Sequence, residues 1–264
     1  MFRLGLTSVT FRELPPEEIA TICRLAGLDG IEWGGDVHLP PGRPAEARRL
    51  RALTEDKGLQ VLSYGSYYRV GASSQPDRDF GPVLETARLL GAPLIRVWPG
   101  DRGSALADWD AYAAAAAETA AICRMAGEYG IRVAYEYHPG TLTDCIASAR
   151  RLLEMCGDCG AASLWQPRPV PWQENLAELK GLGDYLANIH VFHWTRRDGR
   201  TLRRPLAEGE ADWLRYLRAA GHIPGRHDLI LEFVKDDRPE CLLEDAQTLR
   251  RWVRRLEENA PPMR

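Results

Sequence analysis

The chain has 264 residues, of which 45% are hydrophobic and 27% are charged, and its formal net charge is -3 at pH 7. These values are ordinary for a globular protein and exclude a disordered chain. The small negative charge argues against a nucleic-acid-binding surface. No apolar run approaches the roughly 20 residues that span a bilayer, and the N-terminus shows no leader pattern. We therefore expect a cytoplasmic protein that binds neither nucleic acid nor membranes.

The sequence alternates short β-rich runs with longer amphipathic runs eight times. The predicted strands, in chain order, are RLGLTS, GIEW, QVLSYG, LIRVW, RVAYEY, AASLW, LANIHVF and DLILEF. Each strand precedes a predicted helix, and these helices span 16–26, 44–57, 80–90, 109–129, 143–155, 172–182, 211–220 and 239–257. The glycines at which a helix is expected to end before the next strand are Gly58, Gly91, Gly130 and Gly221.

Eight consecutive βα units favour a closed parallel barrel over an open sheet. We therefore predict an α/β fold, a single (β/α)8 TIM barrel that forms one domain over residues 1–264. No G-x-G-x-x-G follows the first strand and there is no P-loop motif, so dinucleotide binding and phosphoryl transfer lack sequence support. The longer predicted loops all follow strands and belong to the face that carries active sites in such barrels: 34–43, 66–79, 99–106, 138–142, 166–171 and 193–210.

Four of the later strands end in a polar side chain that could bind a metal or a substrate. They are Glu136 in VAYEYHPG, Gln166 in ASLWQP, His190 in NIHVFHW and Glu232 in LILEFV. Because strand ends meet at one rim of a barrel, we expect these four side chains to converge. A glutamate inside an apolar strand run is costly to bury without a cation or a hydrogen-bonding partner. The rim is therefore predicted to be the active site.

The chain resembles the xylose isomerase-like TIM-barrel superfamily, in particular its sugar phosphate isomerase/epimerase branch. The segments that carry the resemblance are LGLTSVTF, GIEWGGDVHLPPG, IRVWPG, YEYHPGTLTD, IHVFHW, PLAEGEADW and LEFV. The resemblance implies a divalent cation held by a glutamate, an aspartate, a histidine and a second glutamate, at the positions of Glu136, Gln166, His190 and Glu232. Gln166 replaces the aspartate with a neutral oxygen ligand. We expect weaker metal binding as a result, or a substrate contact from Gln166.

The resemblance implies a metal-dependent isomerase or epimerase of a small carbohydrate, with Glu136 and Glu232 as the acid/base pair. Oxygen ligands with one imidazole favour Mn²⁺ or Mg²⁺, with Co²⁺ or Zn²⁺ as alternatives. A dehydratase or lyase of a polyol or of dehydroshikimate would begin with the same proton abstraction. A non-catalytic carbohydrate-binding barrel is suggested by the missing aspartate. An abasic-site endonuclease is disfavoured, because the chain has only six histidines. Association into a homo-oligomer stays open.

Further side chains near strand ends are predicted to contact the substrate. Aromatic faces pack against sugar C–H surfaces, while histidine and arginine donate to hydroxyl or phosphate oxygens. The main candidates are Glu32, His38, Tyr64, Trp98, His138, Arg168, His193 and Arg204, with Asp36, Tyr67, Tyr68, Arg102 and Trp165 beside them. Arg204 is the preferred phosphate contact in the segment TRRDGRTLRRPL, for which a solvated basic loop is the alternative.

Six cysteines are spread through the chain in a way that fits reduced thiols better than a disulfide framework. Only Cys156 and Cys159 form a C-x-x-C pair, and no second pair completes a four-thiolate zinc site. They fall between a helix and the next strand, at the barrel end opposite the predicted chemistry. We interpret them as partly buried thiols near a helix C-terminus.

Overall fold

The computed structural model describes residues 2–72 and 79–258, and these form a closed barrel of eight parallel strands. The barrel strands are Arg3–Thr7 (β1), Gly30–Gly34 (β2), Gln60–Val70 (β3), Leu94–Pro99 (β4), Arg132–Tyr135 (β5), Ala162–Trp165 (β6), Leu186–Val191 (β7) and Asp228–Leu231 (β10). Two further strands, His193–Arg197 (β8) and Arg200–Arg204 (β9), form a separate hairpin between β7 and β10. β10 pairs with both β7 and β1, which closes the cylinder. The predicted TIM-barrel fold is confirmed.

A helix follows each barrel strand, as the periodicity predicts. The helices are Pro16–Leu25 (α1), Pro44–Asp56 (α2), Gly81–Leu90 (α3), Trp109–Gly127 (α4), Ile146–Met155 (α5), Trp172–Leu182 (α6), Glu210–Ala220 (α7) and Pro239–Glu258 (α8). Gly91 ends α3 in the left-handed region at φ +76°, which only glycine adopts without strain. Gly221 also ends a helix, but its backbone stays right-handed. Among the described residues, no helix is long and apolar enough to cross a bilayer.

Two regions predicted as loops contain strand instead. Residues 66–70 of the predicted loop 66–79 continue β3 past a register shift, and Arg69 and Val70 pair with the end of β4. Residues 73–78 lie outside the described part of the chain. The predicted loop 193–210 folds into the antiparallel hairpin β8–β9 followed by a 3-10 helix at Leu206–Gly209. The hairpin turns at Asp198 and Gly199, which both have positive φ. An Asp-Gly pair favours this turn, because its twist matches that of the flanking strands.

The barrel interior is apolar in its lower part and charged toward the C-terminal ends of the strands. Leu94, Ala134 and Leu164 belong to a small buried cluster separate from the main core between strands and helices. Two residues further along the same strand faces stand Arg96, Glu136 and Gln166, because side chains alternate across a strand with a period of two. The apolar layer closes the bottom of the cylinder, so the polar groups are held at its upper rim.

Candidate active site

Three of the four predicted metal ligands meet at the barrel rim. Glu136, His190 and Glu232 each offer a ligand atom, and these atoms lie within 4.8 Å of one another. The two glutamates directly follow β5 and β10, and their backbone N–H groups donate to Val97 O and Val191 O at 2.9 and 3.0 Å. Only 3% of Glu136 and 7% of Glu232 is exposed. The main-chain bonds therefore hold two buried carboxylates close to the His190 imidazole.

Gln166 joins this group from β6. Its Oε1 atom lies 3.3 Å from Nδ1 of His190, and the residue is buried. The amide oxygen is thus on the same side of the imidazole as Glu232, whose Oε2 atom is 3.5 Å from Nδ1. The structure brings all four predicted positions together.

Arg96 belongs to the site although the sequence pattern did not predict it. It projects from β4 into the barrel, is 3% exposed and donates a hydrogen bond to Oε2 of Glu136. Its Nε atom lies 3.7 Å from Oε1 of Glu32 on β2. The available signal was a lone arginine within the apolar run LIRVW, since an arginine buried there needs acidic partners.

Trp98, two residues beyond Arg96, donates its indole N–H to the same oxygen of Glu136. One face of the indole stacks on His138 with ring centroids 4.9 Å apart, and the Arg69 guanidinium lies 4.4 Å from the ring centroid. Trp98 is therefore a support for the Glu136 carboxylate, held in place by stacking, and it does not line the cavity.

His190 lies between carboxylates on both of its nitrogens. Nδ1 faces Glu232, while Nε2 is 3.4 Å from Oε1 of Glu32. Burial alone lowers the pKa of His190, but the negative charges of Glu232 and Glu32 outweigh it and raise the pKa to about 9. Burial raises the pKa of Glu32, yet the charges of His190 and Arg96 outweigh that effect and lower the pKa to about 2. The charged forms in the barrel thus stabilise one another.

The residues present fit a divalent cation. The buried rim holds three glutamates, 32, 136 and 232, against the one permanent positive charge of Arg96. With His190 as a neutral ligand, a doubly charged ion would balance these side chains. Carboxylate, amide and imidazole donors suit a divalent ion. Glu136, His190 and Glu232 would hold the ion, with Gln166 beside them.

A cavity of about 590 Å³ is lined by three of these residues, Glu136, Gln166 and Glu232. One wall is the segment after β6 and the other is the β8–β9 hairpin. Of the predicted substrate contacts, His138, Arg168 and His193 line the cavity. Arg168 also forms an ion pair with the buried Glu178, so its guanidinium is fixed in the wall. The volume lies within the range of about 300–1,000 Å³ typical of small-molecule sites.

Other predicted contacts lie away from the cavity. Tyr64 is fully buried and its hydroxyl donates to Leu39 O at 2.8 Å, because it falls on the outer face of β3. The nitrogens of His38 lie 3.0 Å from Ser8 Oγ and 3.2 Å from Leu14 O. Arg204 forms an exposed pair with Glu208 at 2.8 Å.

The secondary candidates also have structural partners. Asp36 pairs with Arg12 at 2.7 Å and accepts from the Tyr67 hydroxyl at 3.1 Å. The Tyr68 hydroxyl donates to Glu118 at 2.6 Å. Arg102 lies 3.2 Å from the Asp101 carboxylate, and Trp165 packs edge-on against Tyr216. Among the arginines of the hairpin, Arg196 borders the cavity.

The C-x-x-C pair lies in the helix layer. Cys156 caps the C-terminus of α5, and its sulfur is 3.2 Å from the Tyr135 hydroxyl. Burial raises the pKa of Cys156 to about 11. A thiol held protonated in this way is a poor nucleophile and a poor metal ligand at neutral pH.

Comparison with known proteins places the chain among barrels of one type. A family model described as a xylose isomerase-like TIM barrel matches residues 20–256. The chain is similar to the probable 3-DHS dehydratase AsbF of Bacillus anthracis, with a TM-score of 0.75 at 19% identity over 95% of this chain and 99% of that one. No curated protein sequence matches significantly.

Two further solved structures share the fold over nearly their whole length. An L-ribulose 3-epimerase superimposes with a TM-score of 0.71 at 15% identity, covering 100% of both chains. A xylose isomerase-like barrel from Mycobacterium smegmatis in complex with magnesium gives 0.73 at 15% identity, covering 97% of this chain and 98% of that one. At these identities the likeness shows the fold alone.

Proposed function

Because the chain belongs to the xylose isomerase-like TIM-barrel family, we propose that it is a divalent-metal-dependent isomerase or epimerase of a sugar or sugar phosphate. The observation that carries the proposal is the meeting of Glu136, His190 and Glu232 ligand atoms within 4.8 Å at the base of a cavity. Two buried carboxylates beside an imidazole form both a hard-cation site and an acid/base pair. The structural similarity to an L-ribulose 3-epimerase supports the epimerase reaction, and the similarity to a magnesium-bound barrel supports the use of a divalent metal.

A bound divalent cation would polarise the substrate carbonyl and stabilise the negative charge that develops when the neighbouring C–H loses its proton. Glu136 and Glu232 both line the cavity, with ligand atoms within 4.8 Å of each other, so Glu232 removes that proton and Glu136 returns one. Return of a proton to the opposite face of the same carbon gives an epimer. Return to the adjacent carbon gives the aldose or ketose isomer.

The cavity walls supply the contacts for the rest of the substrate. His138, His193, Arg168 and Arg196 line the cavity together with Glu136 and Glu232. Imidazole and guanidinium N–H groups donate to hydroxyl and phosphate oxygens. A cavity lined by both carboxylates and cationic side chains suits a sugar whose carbonyl lies at the candidate metal ligands and whose other oxygens accept from the imidazole and guanidinium groups.

A second candidate reaction is dehydration. It is favoured by the structural similarity to the probable 3-DHS dehydratase, whose TM-score of 0.75 exceeds those of the epimerase and of the magnesium-bound barrel. The same proton abstraction would then be followed by loss of a hydroxyl group as water. In D₂O an epimerase yields a product whose mass differs from that of the substrate only by the incorporated deuterium. A dehydratase yields an unsaturated product that is lighter by one water.

The proposal is tested by assaying metal-stripped and Mn²⁺-reconstituted protein on a panel of ketoses, aldoses and their phosphates. Glu232→Gln should lower turnover by about two to four orders of magnitude, because removal of a general base costs that much. Glu208→Gln, which alters an exposed carboxylate paired with Arg204, is the matched control and should retain activity. Full activity in Glu232→Gln, or full activity after chelation, refutes the proposal.

A further inference from the structure

Glu32 was predicted to contact the substrate, but its side chain lies outside the lining of the cavity. It is fully buried on β2, does not line the cavity and lies on the far side of His190 from Glu232. Its Oε1 atom is 3.4 Å from His190 Nε2 and 3.7 Å from Arg96 Nε. The Glu32 carboxylate therefore contacts His190, a candidate metal ligand, and Arg96, which holds Glu136.

His190 has two nitrogens that face different partners. Nδ1 lies on the side of Gln166 and Glu232, at 3.3 and 3.5 Å, and Nε2 points toward Glu32. An imidazole that binds a cation through one nitrogen carries its proton on the other, and the acceptor of that proton fixes the ring orientation. We propose that Glu32 is a positioning residue that accepts the Nε2 proton of His190 and so presents Nδ1 to the metal site. This inference rests on the proposed metal-dependent function.

The same carboxylate also reaches the other side of the site. Arg96 stands between Glu32 and Glu136, and it donates a hydrogen bond to Oε2 of Glu136. Glu32 thereby holds the guanidinium that in turn holds a second metal ligand. The buried groups form one continuous chain across the barrel mouth, in the order Glu136, Arg96, Glu32, His190 and Glu232.

The surrounding strand positions leave space for this arrangement. Ser63 donates to Oε2 of Glu32 at 2.6 Å, which leaves Oε1 facing His190 and Arg96. A Cβ atom at Gly65 would lie 2.7 Å from Nη2 of Arg96 and 3.2 Å from Oε1 of Glu32. Any larger residue at position 65 would displace the pair, so the missing side chain is what lets the two charges fit.

Three buried polar atoms around Glu32 have only one another as available hydrogen-bond partners among the described residues. Glu32 Oε1, Arg96 Nε and His190 Nε2 are buried and have no hydrogen-bond partner at normal distance within the described residues. Buried polar groups without partners are costly, and each of these three can be satisfied by a small approach of the others. Glu32 is the acceptor that both donors share.

The experiment is titration of metal-stripped protein with Mn²⁺ by isothermal calorimetry. Glu32→Gln keeps the shape of the side chain but removes its charge, and loss of such an outer partner lowers metal affinity by about 10- to 100-fold. Glu178→Gln is the matched control, because Glu178 is also a buried glutamate paired with an arginine, but it lies on α6 and is not among the clustered candidate ligands. Its Mn²⁺ affinity should stay within about threefold of the unsubstituted protein.

Two further measurements separate positioning from folding. Ser63→Ala keeps the Glu32 charge and removes one bond to it, so its affinity loss should lie between those of the control and Glu32→Gln. In Zn²⁺-loaded protein labelled with ¹⁵N-histidine, His190 should show the Nε2–H tautomer, and Glu32→Gln should lose that single state while circular dichroism stays unchanged.

Equal Mn²⁺ affinity in Glu32→Gln and the unsubstituted protein overturns the inference, as does an equal loss in Glu178→Gln. A Nδ1–H tautomer in the loaded protein overturns it as well. If the unsubstituted protein itself fails to bind Mn²⁺, the proposed function falls and takes this inference with it, so the two failures are distinguishable.

Discussion

Arg96 on β4 donates a hydrogen bond to the carboxylate of Glu136, which directly follows the adjacent strand β5. This contact gives the barrel mouth a permanent cation beside one of its candidate metal ligands. The Trp98 indole donates to the same oxygen, so Oε2 of Glu136 has two donors and Oε1 is the atom left for a ligand role. The two glutamates of the proposed acid/base pair are therefore not equivalent, since Glu232 has no arginine partner among the described contacts.

Replacement of Arg96 by methionine should destabilise the protein and make it more dependent on metal. Removal of one partner from a buried ion pair costs about 3–5 kcal/mol, because the remaining charges are left uncompensated. A divalent cation would replace part of the lost positive charge. We expect a larger rise in melting temperature on addition of MnCl₂ for Arg96→Met than for the unsubstituted protein, measured by differential scanning calorimetry.

Arg96→Lys serves as the control in that comparison, since it keeps the charge but loses the forked geometry. Its dependence on Mn²⁺ should be intermediate. An identical Mn²⁺-induced shift in all three proteins would contradict the idea that Arg96 and the cation share the same neutralising role.

Replacement of Trp98 by phenylalanine should weaken metal binding with little effect on the fold. The ring can still stack on His138 and beneath Arg69, but the indole N–H that holds Glu136 is gone. We expect a loss of about tenfold in Mn²⁺ affinity, the lower end of the range for outer partners of metal ligands. Calorimetric titration measures the loss, and unchanged affinity would mean that the indole N–H does not orient the carboxylate.

Two arginines of the β8–β9 hairpin should behave differently toward a phosphorylated substrate. Arg196 borders the cavity, whereas Arg204 pairs with Glu208 outside it. Arg196→Ala should raise KM for a sugar phosphate by about tenfold with kcat unchanged, because it removes a contact made equally in substrate and transition state. Arg204→Ala should leave KM unaltered. Steady-state kinetics of both variants tests this, and the reverse pattern would restore Arg204 as the phosphate contact.

Asp245 on α8 should make stability depend on pH in the acidic range. Burial raises its pKa to about 6, although the Leu206 N–H donates to its carboxylate. The contribution of Asp245 to the free energy of unfolding is therefore fully present below its ordinary pKa of 3.8 and is lost as pH rises through about 6. Asp245→Asn keeps the acceptor and should be more stable than the unsubstituted protein at neutral pH, by at most about 3 kcal/mol for a shift of this size.

Urea unfolding of both proteins at several pH values measures the difference. The two curves should coincide near pH 4 and diverge as pH approaches about 7. A constant difference across this range would show that the Asp245 carboxyl does not titrate with a raised pKa in the folded state.

The sequence predicted most of what depends on local pattern. Hydrophobic periodicity indicated eight strands and eight helices, and the positions of Glu136 and Glu232 after apolar runs indicated one rim. The hairpin after β7 was missed although Asp198-Gly199 carries its signal, because the flanking residues are polar and exposed and therefore lack the alternation of a buried strand. The extension of β3 was missed because its pairing with β4 resumes only after a bulge.

Closure of the barrel determined which side chains meet at its mouth. Pattern alone identifies which residues end a strand, but it does not say which side chains meet across a cylinder, since that depends on stagger and bulges of all eight strands. Tyr64 turned outward and Glu32 inward for this reason, and Arg96 became the central cation of the site. Residue type and spacing therefore determined the fold and the candidate ligands. Only the three-dimensional packing decided which charges face one another, because electrostatic interactions depend on distances between atoms that are far apart in the chain.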